Sequence, residues 1–111
     1  MSKYDRIMKK CNHFYDNPKV EETWCLYPSI SRYLVPRLKL FLKESSKIVN
    51  WDYHKETHNV DIPRKIRKII LMLEYVDKHS DTFDRRIADK CQYYIDESFK
   101  LLGEIYFYLW W

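Results

Sequence analysis

Two histidines four positions apart are the first residues in this chain whose types could do chemistry. His54 and His58 have Asp52 and Glu56 beside them. On a helix this spacing would place both imidazoles on one face, a geometry that zinc sites use. The segment lacks helical periodicity, however, and no glutamate directly follows His54. The sequence therefore favours surface histidines in a loop over a metal-dependent enzyme, and we predict no metal.

The three cysteines complete no familiar zinc pattern. Cys11 and His13, taken together with Cys25, match no common spacing of zinc ligands. Cys11 and Cys91 fall on predicted apolar helix faces, where a free cysteine behaves as a small hydrophobic residue. Because the number of cysteines is odd and two are core-like, we predict no disulfides and a reducing, cytoplasmic location.

Other catalytic signatures are missing from the sequence. Gly103 is the only glycine, so there is no glycine-rich loop that could cradle a phosphate. The chain also contains neither a nucleophile elbow nor a kinase signature. We therefore predict a protein that is not an enzyme and that needs no cofactor.

A basic cluster could bind phosphate groups. Arg64, Lys65, Arg67 and Lys68 lie at the start of a predicted helix, and Arg37 lies in the helical segment before it. Phosphate contacts from such residues would make binding strongly dependent on salt. A solvated helix face explains the same residues, and the net charge of +4 is mild. Binding of nucleic acid or a nucleotide is therefore our alternative function.

Four segments carry the apolar repeat of amphipathic helices that turn one face to a core. They are residues 1–15, 24–42, 62–78 and 82–111. Ser2 can cap the first helix, with Asp5 in its first turn, and Asp61 can cap the third. Ser80 and Asp81 can cap the last. Residues 43–61 show no clean repeat and predict a long loop.

The apolar stripes predict the core. In the second helix the stripe contains Ile30, Leu34, Leu38, Phe41 and Leu42. In the third it contains Ile62, Ile66, Ile69, Ile70, Leu73 and Val76. In the last it contains Ile87, Cys91, Ile95, Ser98, Leu102, Ile105 and Leu109. The expected fold is one all-α domain over residues 1–111, a small bundle of about four helices with a long C-terminal helix and one long loop.

Pro36 lies inside the second predicted helix, and the apolar repeat continues on both sides of it. A proline there leaves the carbonyl of Arg32 without its helical donor and should kink the helix. One kinked helix is preferred to two short ones because the apolar phase continues across the proline. A structural ion pair is expected for Arg37, whose candidate partners are Glu74, Glu97 and Glu104.

The C-terminal turns are apolar nearly all round, so either the rest of the chain or a partner must cover them. Tryptophan and tyrosine are enriched at interface hot spots. The predicted partner-binding residues are Trp51, Tyr106, Tyr108, Trp110 and Trp111. Burial in the chain's own core is the competing interpretation, and self-association through the same residues is a further one. No apolar run is long enough for a membrane span, so no membrane is predicted.

Residues 24–110 resemble a small protein family encoded mainly by bacteriophages. Its members carry a tryptophan, here Trp24, before a Leu/Val-Pro-Arg-Leu-x-x-Phe segment, and residues 35–41 read Val-Pro-Arg-Leu-Lys-Leu-Phe. Residues 66–74 are similar to the family's later apolar helix, and residues 102–110 to its closing segment with glycine, aromatics and Leu-Trp. The chain departs from the family at residues 61–63, where members often have a tryptophan. The resemblance implies an accessory protein in the bacterial cytoplasm that occupies a host component, including components of host defence, and it assigns no catalytic residue.

Overall fold

The computed structural model describes Ser2, Lys3, Asp5, Arg6, Lys10, residues 18–24 and residues 26–110. Within them lie four α-helices, which are α1 (Leu26–Ser45), α2 (Trp51–His58), α3 (Ile62–His79) and α4 (Arg85–Ile105). Short 3₁₀ helices at Val20–Thr23 and Tyr106–Tyr108 flank them. No strand occurs in this part of the chain, so the predicted all-α bundle with a long C-terminal helix is confirmed.

α3 is the central helix, and its sequence pattern explains why. All six residues of its predicted apolar stripe are buried. Asp61 caps the helix as predicted, because the backbone N–H of Arg64 donates to its Oδ1 at 3.2 Å. Pro63 lies in the first turn, where its missing N–H leaves no partner unsatisfied. α4, α1 and α2 all pack against this helix.

The core joins all four helices. It consists of Val35, Leu38, Trp51, Ile62, Ile66, Ile69, Ile70, Leu73, Leu101 and Ile105. Burying an isoleucine side chain fully contributes about 1.5–3 kcal/mol, so the isoleucines of α3 supply much of the driving force for folding. The core residues all lie between positions 35 and 105, and the partly buried Tyr108 and Leu109 pack against them.

α1 runs through Pro36 without interruption, as the continuous apolar phase predicted. Four of the five residues predicted for its apolar stripe meet the core, since Leu38 is buried and Leu34, Phe41 and Leu42 pack against it. The prediction is wrong at other positions. Val35, Leu38 and Ser45 are buried, whereas Ile30 is exposed.

The prediction of an unbroken loop over residues 43–61 is wrong, because α2 forms inside it. Asn50 caps α2, and its side-chain oxygen accepts a hydrogen bond from the backbone N–H of Tyr53 at 3.1 Å. Asn59 ends the helix in the left-handed region, with φ 56° and ψ 38°. α2 has only eight residues and buries only Trp51, so its apolar repeat is too short to be recognised.

The last helix also has bounds that differ from the prediction. Asp84, rather than Ser80 or Asp81, caps α4, and its Oδ1 accepts from the backbone N–H of Arg86 at 2.9 Å. The backbone N–H of Asp84 donates to Thr82 Oγ1 at 3.1 Å, which holds the residues before the helix in a non-helical turn. α4 ends at Ile105.

Ser2 and Asp5 form a reciprocal cap near the chain's start, as the sequence predicted for the first helix. The backbone N–H of Asp5 donates to Ser2 Oγ at 3.1 Å, and Ser2 Oγ donates to Asp5 Oδ2 at 2.9 Å. Most of the predicted helix over residues 1–15 lies outside the described residues. Among the described helices, none is both long enough and apolar enough to cross a membrane.

Candidate partner-binding surface

Ile105, Tyr108 and Leu109 anchor the end of α4 and the segment that follows it to the core. Ile105 is fully buried, and the 3₁₀ turn that follows it returns Tyr108 and Leu109 to the core as partly buried residues. The backbone N–H of Leu109 donates to the carbonyl of Tyr106 at 3.2 Å, and that of Trp110 to the carbonyl of Tyr108 at 2.8 Å. The backbone of this segment is therefore held in one conformation.

Three rings beside these anchors are exposed to solvent. Tyr106 is 63% exposed, Phe107 88% and Trp110 68%. The rings of Tyr106 and Phe107 meet edge to face, with centroids 5.8 Å apart. We call Tyr106, Phe107 and Trp110 the C-terminal aromatic surface. Trp111, which was predicted to belong to it, lies outside the described residues.

Phe107 was missing from the predicted binding residues, although it is the most exposed of the three. A helix continuing to the C-terminus would spread the aromatic rings evenly around its axis. The change to a 3₁₀ turn after Ile105 sorts them instead, sending Tyr108 to the core and Phe107 outward. Nothing in the apolar spacing reveals where that change occurs.

Trp51 lies in the core instead of on the surface, which contradicts its predicted place among the partner-binding residues. It is only 7% exposed. Its Nε1–H donates to Ser45 Oγ at 3.3 Å, and its ring centroid lies 6.2 Å from that of Phe41. The side chain thus holds α2 against the end of α1 and is unavailable to a partner.

His54 and His58 lie on one face of α2, so their predicted loop setting is wrong. Their rings stack with centroids 5.5 Å apart, and the ring of Tyr108 meets His54 edge to face at 5.7 Å. His54 therefore joins α2 to the C-terminal segment. No group of three His, Cys, Asp or Glu residues suited to a metal occurs in the part of the chain described.

One of the three cysteines lies in the described part of the chain. Cys91 is buried and free on α4, as its place in the apolar stripe predicted. The other candidate ligands, Cys11, His13 and Cys25, lie outside the described residues.

The four basic residues at the start of α3 differ in their contacts. Arg64, Arg67 and Lys68 are exposed on the side of α3 that faces away from the core. Lys65 differs because its Nζ lies 2.7 Å from Glu104 Oε2 on α4. Only three of the four neighbouring cations are therefore free of an ion pair within the described residues.

Arg37 makes a local contact rather than the predicted ion pair. Its Nη1 donates to the carbonyl of Tyr33 at 2.9 Å, and its guanidinium lies 3.9 Å from the centroid of that residue's ring. Two of the three predicted partners are engaged elsewhere, since Glu74 pairs with Lys39 at 3.0 Å and Glu104 pairs with Lys65. The stacked ring one turn earlier on α1 is simply nearer.

The Lys65–Glu104 pair makes stability depend on pH. The hydrogen bond from Lys65 lowers the pKa of Glu104, desolvation opposes this, and the charges of Lys65 and Lys100 lower it further. Because the folded pKa lies below the unfolded one, the pair stabilises the fold above the unfolded pKa. This stabilisation is lost as the pH falls through the folded pKa.

We expect Glu104→Gln to lower the urea midpoint at neutral pH and to match the wild type once the pH lies below the lowered pKa of the Glu104 carboxyl, where that carboxyl is protonated. Lys65→Met should remove the same pH-dependent component, and the double variant should remove no more than either single change. A midpoint difference that is equal at both pH values would mean that the pair contributes nothing.

The C-terminal aromatic surface is apolar apart from the phenol hydroxyl of Tyr106 and the indole N–H of Trp110. Its side chains offer large apolar area and no carboxylate, imidazole or thiol. Aromatic rings on a fixed backbone lose little conformational entropy when a partner covers them. No protein-family model matches the chain, and neither a curated protein nor a solved structure matches it.

Proposed function

We propose that this protein is a non-catalytic binding module of the small bacteriophage accessory type, which occupies a host protein in the bacterial cytoplasm. The observation that carries the proposal is the exposure of three aromatic rings on a backbone segment pinned to the core. The sequence resemblance over residues 24–110 supports the phage assignment, and a host-defence component is one class of target that it suggests.

The exposed rings have the size expected of an interface centre. An aromatic side chain buries about 150–250 Å², so three rings at these exposures offer on the order of 400 Å². That is about half of what one partner contributes to a standard interface. The rings would fill apolar pockets on the host protein, while neighbouring polar groups would form a solvated rim.

A tagged pull-down from bacterial lysate, with and without nuclease, tests the proposal. We expect a stoichiometric host protein that survives nuclease and that depends on the C-terminal aromatic surface. The proposal would be contradicted if substitutions in this surface left the amount of captured host protein unchanged. It would also be contradicted if nuclease digestion abolished capture of the host protein.

The second candidate function is binding of nucleic acid through α3. The observation favouring it is the exposure of Arg64, Arg67 and Lys68 on one helix face without ion pairs among the described residues. With three phosphate contacts on duplex DNA, the logarithm of the binding constant would fall with the logarithm of the salt concentration with a slope of about −2.7.

Charge reversal tests this alternative. We expect Arg64→Glu with Lys68→Glu to weaken binding to a short DNA duplex at least about tenfold and to reduce the salt slope by about 2. Lys43→Glu with Arg85→Glu changes the net charge equally at exposed positions elsewhere and is the matched control. Equal losses in both variants would show a general charge effect, and salt-independent binding would exclude this face.

A further inference from the structure

The net positive charge of the chain is concentrated beside the C-terminal aromatic surface. The first two turns of α3, residues 62–68, contain four cations and no carboxylate. The last two turns of α4 and the segment after them, residues 98–110, contain Lys100 and Glu104. These two stretches therefore carry five cations and one carboxylate, which accounts for the whole net charge of +4.

The ion pair between Lys65 and Glu104 holds these two stretches together. Lys65 Nζ lies 2.7 Å from Glu104 Oε2, and Tyr106 follows two residues after Glu104. Arg64 and Lys68 are one and three residues from Lys65, so they lie within about 5 Å of it along the helix axis. The start of α3 therefore borders the C-terminal aromatic surface.

Three of these cations are exposed and form no ion pair within the part of the chain described, namely Arg64, Lys68 and Lys100. Lys100 precedes Glu104 by one turn of α4. After the hydrogen bond from Lys65, the charge of Lys100 also lowers the pKa of Glu104, so its ammonium lies near the same carboxylate. We call Arg64, Lys68 and Lys100 the basic rim.

Neighbouring carboxylates leave the charge of the basic rim uncompensated. Asp61 is engaged as the cap of α3. On α2, Asp52 and Glu56 are each two residues from His54, whose ring contacts that of Tyr108. Two residues correspond to about 200° around a helix, so both carboxylates face away from the C-terminal segment.

The basic residues at the start of α3 do not stabilise the helix itself. The N-terminal end of a helix carries partial positive charge, and the first turn of α3 has no acidic residue to balance it. Cations there oppose the helix dipole. Residues that break a local rule of stability are expected at functional sites, so their placement favours a role in binding.

We infer that the partner of the C-terminal aromatic surface is a protein that presents an apolar pocket bordered by carboxylates. This inference rests on the proposed function and adds the charge of the partner to it. The three rings enter the pocket, and the basic rim faces the carboxylates around it, as in interfaces with an apolar centre and a polar edge. Complementary charges of this kind raise the association rate and exclude partners of the wrong charge.

The arrangement of the rings favours a protein over single-stranded nucleic acid. Successive bases of a single strand stack on aromatic side chains that offer their faces along the strand. The ring planes of Tyr106 and Phe107 meet at 84°, so these two neighbours do not form a row of parallel platforms. Rings in this arrangement fill a pocket of irregular shape instead.

Two labelled peptides test the inference with defined probes. Both are amphipathic helices of about five turns that share one leucine face, and their polar faces carry either glutamates or lysines. We expect the full-length chain to bind the glutamate peptide at least about tenfold more tightly at low salt, as measured by fluorescence anisotropy. The difference should narrow at high salt, because salt screens exposed charges. Equal affinities for the two peptides would overturn the inference.

Charge reversal locates the contact. Arg64→Glu with Lys68→Glu should weaken binding of the glutamate peptide at least about tenfold. Lys78→Glu with Arg85→Glu is the matched control, since it changes the net charge equally at exposed positions at the end of α3 and the start of α4. The control should change the affinity by less than about twofold, because these positions lie about 20 Å along α3 and 30 Å along α4 from the rim. Equal losses in the two variants would contradict a local basic rim.

The inference and the proposed function can fail separately. Suppose that Phe107→Ala abolishes capture of a host protein, whereas reversal of Arg64 and Lys68 leaves capture unchanged at low and high salt. The surface would then bind a protein, and the inferred acidic border would be wrong. Tighter binding of a short oligothymidylate than of the glutamate peptide, lost in Phe107→Ala, would assign the surface to nucleic acid and overturn both.

Discussion

Replacing Trp51 with alanine is expected to lower the free energy of unfolding by about 3–5 kcal/mol. The ring is almost fully buried between α1 and α2, and its removal would leave a cavity beside Phe41. It would also take away the N–H that donates to the fully buried Ser45 hydroxyl. Small domains are stable by about 5–15 kcal/mol, so this one change removes a large share. Urea unfolding followed by circular dichroism measures it.

Two further substitutions make the result specific. Trp51→Phe keeps much of the ring volume and should cost less than Trp51→Ala, because a smaller cavity remains. Trp110→Ala removes the same side chain from an exposed position and should change stability by no more than about 0.5 kcal/mol. Equal losses in Trp51→Ala and Trp110→Ala would show that Trp51 does not hold the core together.

The parts of the fold that were predictable from sequence depend on local signals. In α3 the apolar residues recur over five turns, Asp61 supplies the cap and Pro63 marks the first turn. Each signal acts within a few residues of its own position, so neighbouring helices do not alter it. The same reasoning succeeded for the Ser2 cap and for the continuity of α1 through Pro36.

The incorrect predictions concern features that depend on tertiary packing. Both Ile30 and Val35 suit an apolar helix face, and the position of α3 decides that Val35 is buried. α2 exists because Asn50 caps it and Trp51 reaches the core, although its apolar repeat covers barely two turns. Lys65 and Glu104 pair across 39 positions, a contact that no spacing rule contains.

The candidate surface was predictable in its residue types but not in its geometry. An aromatic C-terminus predicts either core or interface residues. The sequence alone cannot distinguish the exposed Tyr106 and Trp110 from Tyr108, which packs against the core. The 3₁₀ turn separates them by exposing Tyr106 and Phe107 and returning Tyr108 to the core.

Replacing Phe107 and Trp110 together with alanine is expected to weaken host-protein binding at least about 100-fold. Interface hot spots lose 2 kcal/mol or more on truncation to alanine, and 1.4 kcal/mol corresponds to a tenfold change in affinity. Both rings are largely exposed, so the free energy of unfolding should change by less than about 0.5 kcal/mol per substitution. Quantitative pull-down of the captured protein, with urea unfolding alongside, measures both effects.

Phe83→Ala is the matched control, because Phe83 is the most exposed large apolar residue described and precedes α4. The C-terminal aromatic surface follows the other end of α4, and a helix of this length spans about 30 Å. A single host protein centred on Phe107 and Trp110 therefore loses little when Phe83 is removed. Equal weakening by Phe83→Ala would show nonspecific adhesion of exposed aromatics. Unfolding of the double variant would show that these rings belong to the core, and either result would remove the basis for the partner surface.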